Sequence, residues 1–72
     1  MTEKEKITLI EEVLEVASGS IARDSILADI KEYDSLKKLS ILIMLEDNFD
    51  IKVTSSQLSG FTTVSDILNV MG

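Results

Sequence analysis

Few side chains in these 72 residues can do chemistry, and the missing ones decide more than those present. There is no cysteine and no histidine. That removes thiolate and imidazole metal sites, Cys–His pairs and Ser–His–acid triads together. Carboxylates remain, and Asp47 with Asp50 or Asp29 with Glu32 are near enough in sequence to pair. On surface helices such pairs are solvated faces, and a glycosidase pair also needs a sugar-sized cleft that short helices do not build. A calcium loop beginning at Asp47 fails on spacing. Phe49, Ile51, Lys52 and Leu58 stand where an EF-hand needs two oxygen ligands, a glycine and a final glutamate. The lone Gly19 and Gly60 make no phosphate-binding loop. By its own side chains the chain reads as a non-enzyme.

One serine stands out. Within Glu32-Tyr33-Asp34-Ser35-Leu36-Lys37-Lys38-Leu39-Ser40 it follows an aspartate at the head of a long apolar run. Both Asp and Ser are preferred helix N-caps, worth about 1 kcal/mol, and a helix needs only one. If Asp34 caps, Ser35 becomes the first helical residue with its hydroxyl outward and uncommitted. A phosphate there would meet the positive end of the helix dipole and free N–H groups. Lys37 and Lys38, poorly placed for the dipole of an unmodified helix, would then face it. Read locally, plain capping explains the pair as well.

The elements that must position this serine are helical. Thr2-Glu3-Lys4-Glu5 is a capping box, followed by Ile7, Ile10, Val13, Leu14 and Ala17 at helical spacing, so a first helix is predicted to about Val16. Ser18-Gly19-Ser20 breaks it. Residues 19–33 form a long connection anchored by Ile21, Ile26, Leu27 and Ile30, and loops of this length are often functional. A second helix is expected from about Ser35 to Asn48, then an alternating extended connector from Phe49 to Thr54. A brief third helix from Ser55 or Ser56 runs through Leu58 to Gly60. A last helix opens at Thr63-Val64-Ser65-Asp66, with Val64, Ile67, Leu68 and Met71 on one face. The expected fold is all-α: one domain over residues 1–72, a four-helix bundle of three longer helices and one short, with the long first connection crossing it.

Composition sets the partners. Hydrophobic residues make up 44% and charged residues 28%, a globular balance, and the net charge is −6. An acidic domain this small repels nucleic acid and anionic membranes and is steered towards proteins with basic patches. The charged start has no signal-peptide character and no apolar run is long enough to span a bilayer, so the expected location is cytoplasmic.

Three segments in order carry a resemblance: Asp34-Ser35-Leu36, then Leu45-Glu46-Asp47-Asn48-Phe49-Asp50 with Val53, then Leu58 with Phe61-Thr62-Thr63-Val64. Together, with their mutual spacing, they resemble the acyl carrier protein family of phosphopantetheine-binding domains across essentially the whole chain. The resemblance implies that Ser35 receives 4′-phosphopantetheine from coenzyme A through a separate magnesium-dependent transferase. Asp34 would cap the helix and help that phosphopantetheinyl transferase place its metal. The arm's thiol would carry acyl or aminoacyl groups as thioesters between synthase and ligase enzymes, which explains a carrier without cysteine.

Helix two is apolar almost all round. With Phe49 as an inward anchor, Ile41, Leu42, Leu45 and Phe49 form the expected core stripe. Leu36, Leu39, Ser40, Ile43 and Asp47 then lie on the partner side, with Lys37, Lys38 and Glu46 completing the expected contact set. Here the chain departs from the family's usual pattern. Carriers of fatty acid synthesis usually have acidic residues in the first two turns, where this chain has Lys37, Lys38 and Ser40. The glycine often found shortly before Asp-Ser-Leu is replaced by Glu32-Tyr33. Such charges discourage enzymes selected for acidic carriers, so a specialised rather than housekeeping carrier, acting as a monomer, is expected. An acyl channel among Leu27, Leu42, Leu45, Leu58 and Phe61 and a plain core fit the sequence equally. Two alternatives stay open. One is an unmodified acidic interaction module with Asp34-Ser35 only as a cap. The other is a dimer joined through Leu36, Leu39 and Ile43.

Overall fold

The computed structural model describes residues 2–72. Four helices follow in order: α1 (Glu3–Leu14), α2 (Ser35–Phe49), α3 (Ser55–Ser59) and α4 (Val64–Met71). A single 3-10 turn, Leu27–Asp29, interrupts the long connection between α1 and α2. No strand is formed among the described residues; one isolated antiparallel bridge joins Ile26 to Thr63. The expected all-α bundle of three longer helices and one short is what folds.

Local chemistry explains the boundaries. Thr2 and Glu5 close α1 as a reciprocal capping box: Glu5 N–H donates to Thr2 Oγ1 at 3.2 Å, and Thr2 N–H to Glu5 Oε1 at 2.9 Å. At its other end α1 stops two residues short of the expected Val16, because Glu15 takes the left-handed conformation at φ 59°. Ala17, expected on the helix stripe, is therefore beyond the helix and exposed. α2 runs one residue past expectation, through Phe49, and ends the same way at Asp50, φ 53°. α3 has a capping box of its own, Thr54 with Gln57, which fixes its start at Ser55.

The core follows the helical periods. Ile10 and Leu14 from α1, Ile41, Met44 and Leu45 from α2, Leu58 from α3, and Val64, Ile67, Leu68 and Met71 from α4 are buried around Leu27. Each such side chain contributes about 1.5–3 kcal/mol by leaving water. The expected α4 face is all present. In α2 the expected stripe is shifted: Met44 is buried with Ile41 and Leu45, while Leu42 and Phe49 are only half-buried against the cluster. Residues 41, 44 and 45 are neighbours on one helical face, so their burial sends residues 36, 39 and 43 outward.

The long connection is fastened by its backbone. Leu27 N–H donates to Thr62 O at 2.8 Å, Val64 N–H to Ser25 O at 3.0 Å and Ser65 N–H to Arg23 O at 2.7 Å. Arg23 adds side-chain bonds to Glu3 and Ser65. At the other end of the connection the buried Glu11 accepts the Gly19 N–H at 2.7 Å through Oε2. Gly19 sits at φ +83°, a conformation that favours glycine.

Candidate functional site

Asp34 is the N-cap of α2. Its Oδ1 accepts the Lys37 N–H at 2.9 Å, and its carbonyl accepts the Lys38 N–H at 2.9 Å. The cap is thereby complete without the next residue. Ser35 is the first residue of the helix and exposed, and its Oγ has no hydrogen-bond partner among the described residues. Ser40, one turn on, shows the contrast: its Oγ donates to the Leu36 carbonyl at 3.1 Å and is committed.

The surroundings of Ser35 are apolar and exposed on one side. Leu36 is 74% exposed, Leu39 54% and Ile43 53%, the three most exposed large apolar side chains among the described residues. They stand three and four residues apart, so they form one strip along the helix surface that begins beside Ser35. Glu46 and Asp47 are exposed at the far end of this helix, and Ser40 is half-buried.

The two lysines do not turn to Ser35. Lys37 Nζ pairs with Glu15 Oε1 at 3.3 Å, reaching across to the end of α1. Lys38 Nζ lies over the Tyr33 ring, 5.6 Å from its centroid, within cation–π range. Tyr33 was not among the residues singled out for the site. It is half-buried, its Oη is shielded from solvent without a hydrogen-bond partner, and burial pushes its phenol above the ordinary tyrosine range. The apolar neighbours and the buried hydroxyl are tertiary features, so no sequence spacing announces them.

On the other side Ser35 opens onto a groove of about 570 Å³. Its walls include Leu27 and Ala28 from the 3-10 turn, Leu58 and Phe61 from α3 and the turn after it, and Tyr33 and Lys38. A smaller recess of about 240 Å³, with Leu39 and Leu42, adjoins Ser35 towards α3. Of the residues expected along an acyl channel, Leu27, Leu58 and Phe61 line the groove and Leu42 the recess; Leu45 lies in the core and lines neither. No group of acidic side chains among the described residues is arranged to hold a metal ion.

The Ser35 hydroxyl thus stands free on an already capped helix, beside an apolar strip and a groove. The family model described as a phosphopantetheine attachment site matches residues 7–71. The chain belongs to the acyl carrier protein family. Its members are carriers modified by a phosphopantetheinyl transferase and served by separate biosynthetic enzymes, and the domain is the site of covalently attached 4′-phosphopantetheine. The acyl carrier protein of Rhodococcus erythropolis is 32% identical over 60 residues, covering 83% of this chain and 66% of that protein. The acyl carrier protein of Borreliella burgdorferi is 32% identical over 62 residues, 86% of this chain and 78% of that protein. The meromycolate extension acyl carrier protein of Mycobacterium leprae is 30% identical over 60 residues, 83% of this chain and 52% of that protein. The chain thus spans about two thirds of the length of the Rhodococcus protein and about half of that of the Mycobacterium one. No solved structure matches it significantly. Among the described residues no helix is long and apolar enough to cross a membrane.

Proposed function

We propose that Ser35 is the residue that carries 4′-phosphopantetheine, and that the chain is a specialised acyl carrier. The observation that carries this reading is the uncommitted Ser35 hydroxyl at the head of α2, where Asp34 alone satisfies the cap. In the transfer Ser35 Oγ forms a bond to the phosphorus of the pantetheine phosphate. Its proton passes to a base of the transferase, and adenosine 3′,5′-bisphosphate leaves from coenzyme A. The chain supplies the nucleophile, held by a capped helix end whose free N–H groups favour the new negative charge. Asp34, exposed beside it, keeps one carboxylate oxygen outside its cap bond for the transferase and its metal. The attached group supplies a terminal thiol, on which acyl intermediates ride as thioesters. Tethering replaces diffusion with a local effective concentration at each enzyme visited.

Leu36, Leu39 and Ile43, with Lys37, Lys38, Ser40, Glu46 and Asp47 around them, form the proposed docking face for the transferase and the loading enzymes. Lys37 and Lys38 at the near end of that face support a partner set apart from housekeeping fatty acid synthesis. Relatives named for meromycolate extension support an acyl rather than aminoacyl cargo. Committing the apolar strip to enzymes leaves the carrier a monomer, working where coenzyme A and its transferase are found, in the cytoplasm.

Intact mass tests the reading. The protein and Ser35→Ala are incubated with coenzyme A, magnesium and a broad-specificity phosphopantetheinyl transferase. The expected result is one phosphopantetheine on the unaltered chain and none on the variant. No gain with several transferases would return Asp34-Ser35 to a plain cap and the chain to an unmodified interaction module.

A further inference from the structure

The Tyr33 hydroxyl has no place in the account so far. Its Oη is buried, and no group among the described residues bonds to it. A buried hydroxyl without a partner is costly, and folded proteins seldom leave one. The residue that bears it lines the groove of about 570 Å³ whose wall also includes Ser35. Whatever is attached to Ser35 therefore begins beside a groove that Tyr33 also lines. The size falls within the range of small-molecule sites, and its walls mix apolar side chains (Leu27, Leu58, Phe61) with polar ones, of which Tyr33 alone has its polar atom buried without a partner among the described residues.

Lys38 stands beside the approach. Its ammonium rests over the Tyr33 ring, while the same side chain lines both the groove and the smaller recess next to Ser35. It lies three residues after Ser35, on the same helical face. A phosphodiester on Ser35 is a stronger partner for an ammonium than an aromatic ring is. A phosphodiester that drew Lys38 off the ring would leave Tyr33 room to turn its hydroxyl into the groove.

We infer that the groove beside Ser35 receives a carbonyl-bearing part of the tethered chain, with Tyr33 Oη donating the hydrogen bond that the folded protein leaves unmade. This rests on the reading of Ser35 as the attachment residue. An unadorned alkyl chain would fill the apolar wall but leave the hydroxyl unpaired. The matching chemistry is a carbonyl oxygen, and it has three sources: the amides of the arm itself, the thioester carbonyl, or a further oxygen on the acyl group. A buried polar group of this kind discriminates more sharply than apolar contact does.

Tyr33 is the only tyrosine and there is no tryptophan, so its ring resonances and near-ultraviolet signal are clean reporters. The test compares four states of the full chain: unmodified, holo, hexanoyl-holo and 3-oxohexanoyl-holo. Each is made in the unaltered protein and in Tyr33→Phe, with mass confirming the load. Two readouts are taken, the ring resonances of residue 33 and the rate at which hydroxylamine cleaves the thioester. If the arm's amides are the partner, the Tyr33 signals move on going from unmodified to holo and change little with cargo. If the thioester carbonyl is the partner, they move in both acylated states. If a further oxygen on the cargo is the partner, they move only in the 3-oxohexanoyl state, whose thioester is cleaved roughly two- to tenfold more slowly than in Tyr33→Phe. Signals that stay fixed in all loaded states, with equal cleavage rates in both proteins, overturn the inference while leaving the carrier reading intact. Failure of the mass gain overturns the carrier reading, and the inference with it. Unmodified Tyr33→Phe, checked by its own melting curve, shows whether the variant still folds.

Discussion

Lys37 Nζ, in the first turn of α2, lies 3.3 Å from Glu15 Oε1 at the end of α1. The lysine is largely shielded and the glutamate largely exposed, at 21% and 79%. One of the two unusual positive charges beside Ser35 is thus partly neutralised within the molecule. A pair with one partner this exposed contributes about 0–1 kcal/mol, so the link matters more for the field at the proposed docking face than for stability.

Charge reversal at this spot is expected to change partners without changing the fold. Lys37→Asp with Lys38→Glu should speed association with enzymes whose docking faces are basic, by roughly tenfold at low salt, with the gain shrinking as salt rises. Stopped-flow binding at two ionic strengths measures it. An unchanged rate at both would show that these lysines do not select partners.

The apolar strip and the core make opposite predictions for similar substitutions. Leu36→Ala should shift the urea midpoint by an amount equivalent to less than about 0.5 kcal/mol, since its side chain is mostly in water already. Ile41→Ala removes a fully buried side chain and should cost about 2–5 kcal/mol. The same Leu36→Ala protein should be a poorer transferase substrate despite its intact fold. Equal modification rates for it and the parent would remove Leu36 from the docking face.

Asp34 separates capping from recognition. Asparagine caps as well as aspartate does, so Asp34→Asn should keep its stability within a few tenths of a kcal/mol, whereas Asp34→Ala should lose about 1 kcal/mol. If the carboxylate helps place the transferase metal, Asp34→Asn still loses most of its modification rate. Thermal melts and mass-based time courses on the two variants read the two roles independently.

Acid acts on the groove wall through Asp66. Its carboxylate accepts the Thr62 and Thr63 N–H groups at 2.8 and 3.1 Å, and those bonds, Thr62 first, hold its carboxyl below the ordinary aspartate range. A group whose folded pKa is depressed stabilises the fold at pH above the ordinary aspartate value. That contribution is lost as pH falls through the folded value. Thr62 also accepts the Leu27 N–H, so the loss loosens the groove. Asp66→Asn should flatten the acid limb of the stability–pH curve, as followed by circular dichroism. An unchanged acid limb would assign it to other carboxylates, Glu5 at the first cap being the next in line.

The left-handed end of α2 offers a stabilising change. Asp50 sits at φ 53°, where a side chain is disfavoured and glycine is not. Asp50→Gly should raise stability by about 0.5–1 kcal/mol, read from the urea midpoint. A lower midpoint would mean that the Asp50 side chain contributes more than its backbone conformation costs.

What the sequence displayed and what it concealed divide along a physical line. Caps are local, so Thr2 with Glu5 and Thr63 with Asp66 were legible from four residues each. The α4 face was legible because its apolar residues recur at one period with polar residues between them. α2 was harder: it is apolar all round, and Met44 replaced Leu42 as a core residue because neighbouring helices, not its own pattern, choose the buried side. The ends of α1 and α2 were set by left-handed Glu15 and Asp50, residue types that do not advertise that conformation as glycine would. Glu11 and Tyr33 are buried polar groups whose partners, or lack of one, come from distant segments. No spacing rule reaches them.

The fastening of the long connection has a consequence for how such a carrier diversifies. The bonds from Leu27, Val64 and Ser65 to Thr62, Ser25 and Arg23 run between backbone atoms, so no side chain at these positions is needed to make them. The groove's floor is hung on bonds that tolerate almost any sequence except proline at a donor. Ala28 and Thr62, exposed in the groove wall, can therefore be exchanged for residues of other size and polarity while the frame stays in register; Leu27, fully buried in the core, cannot. Inheritance can reshape the groove wall without renegotiating the fold.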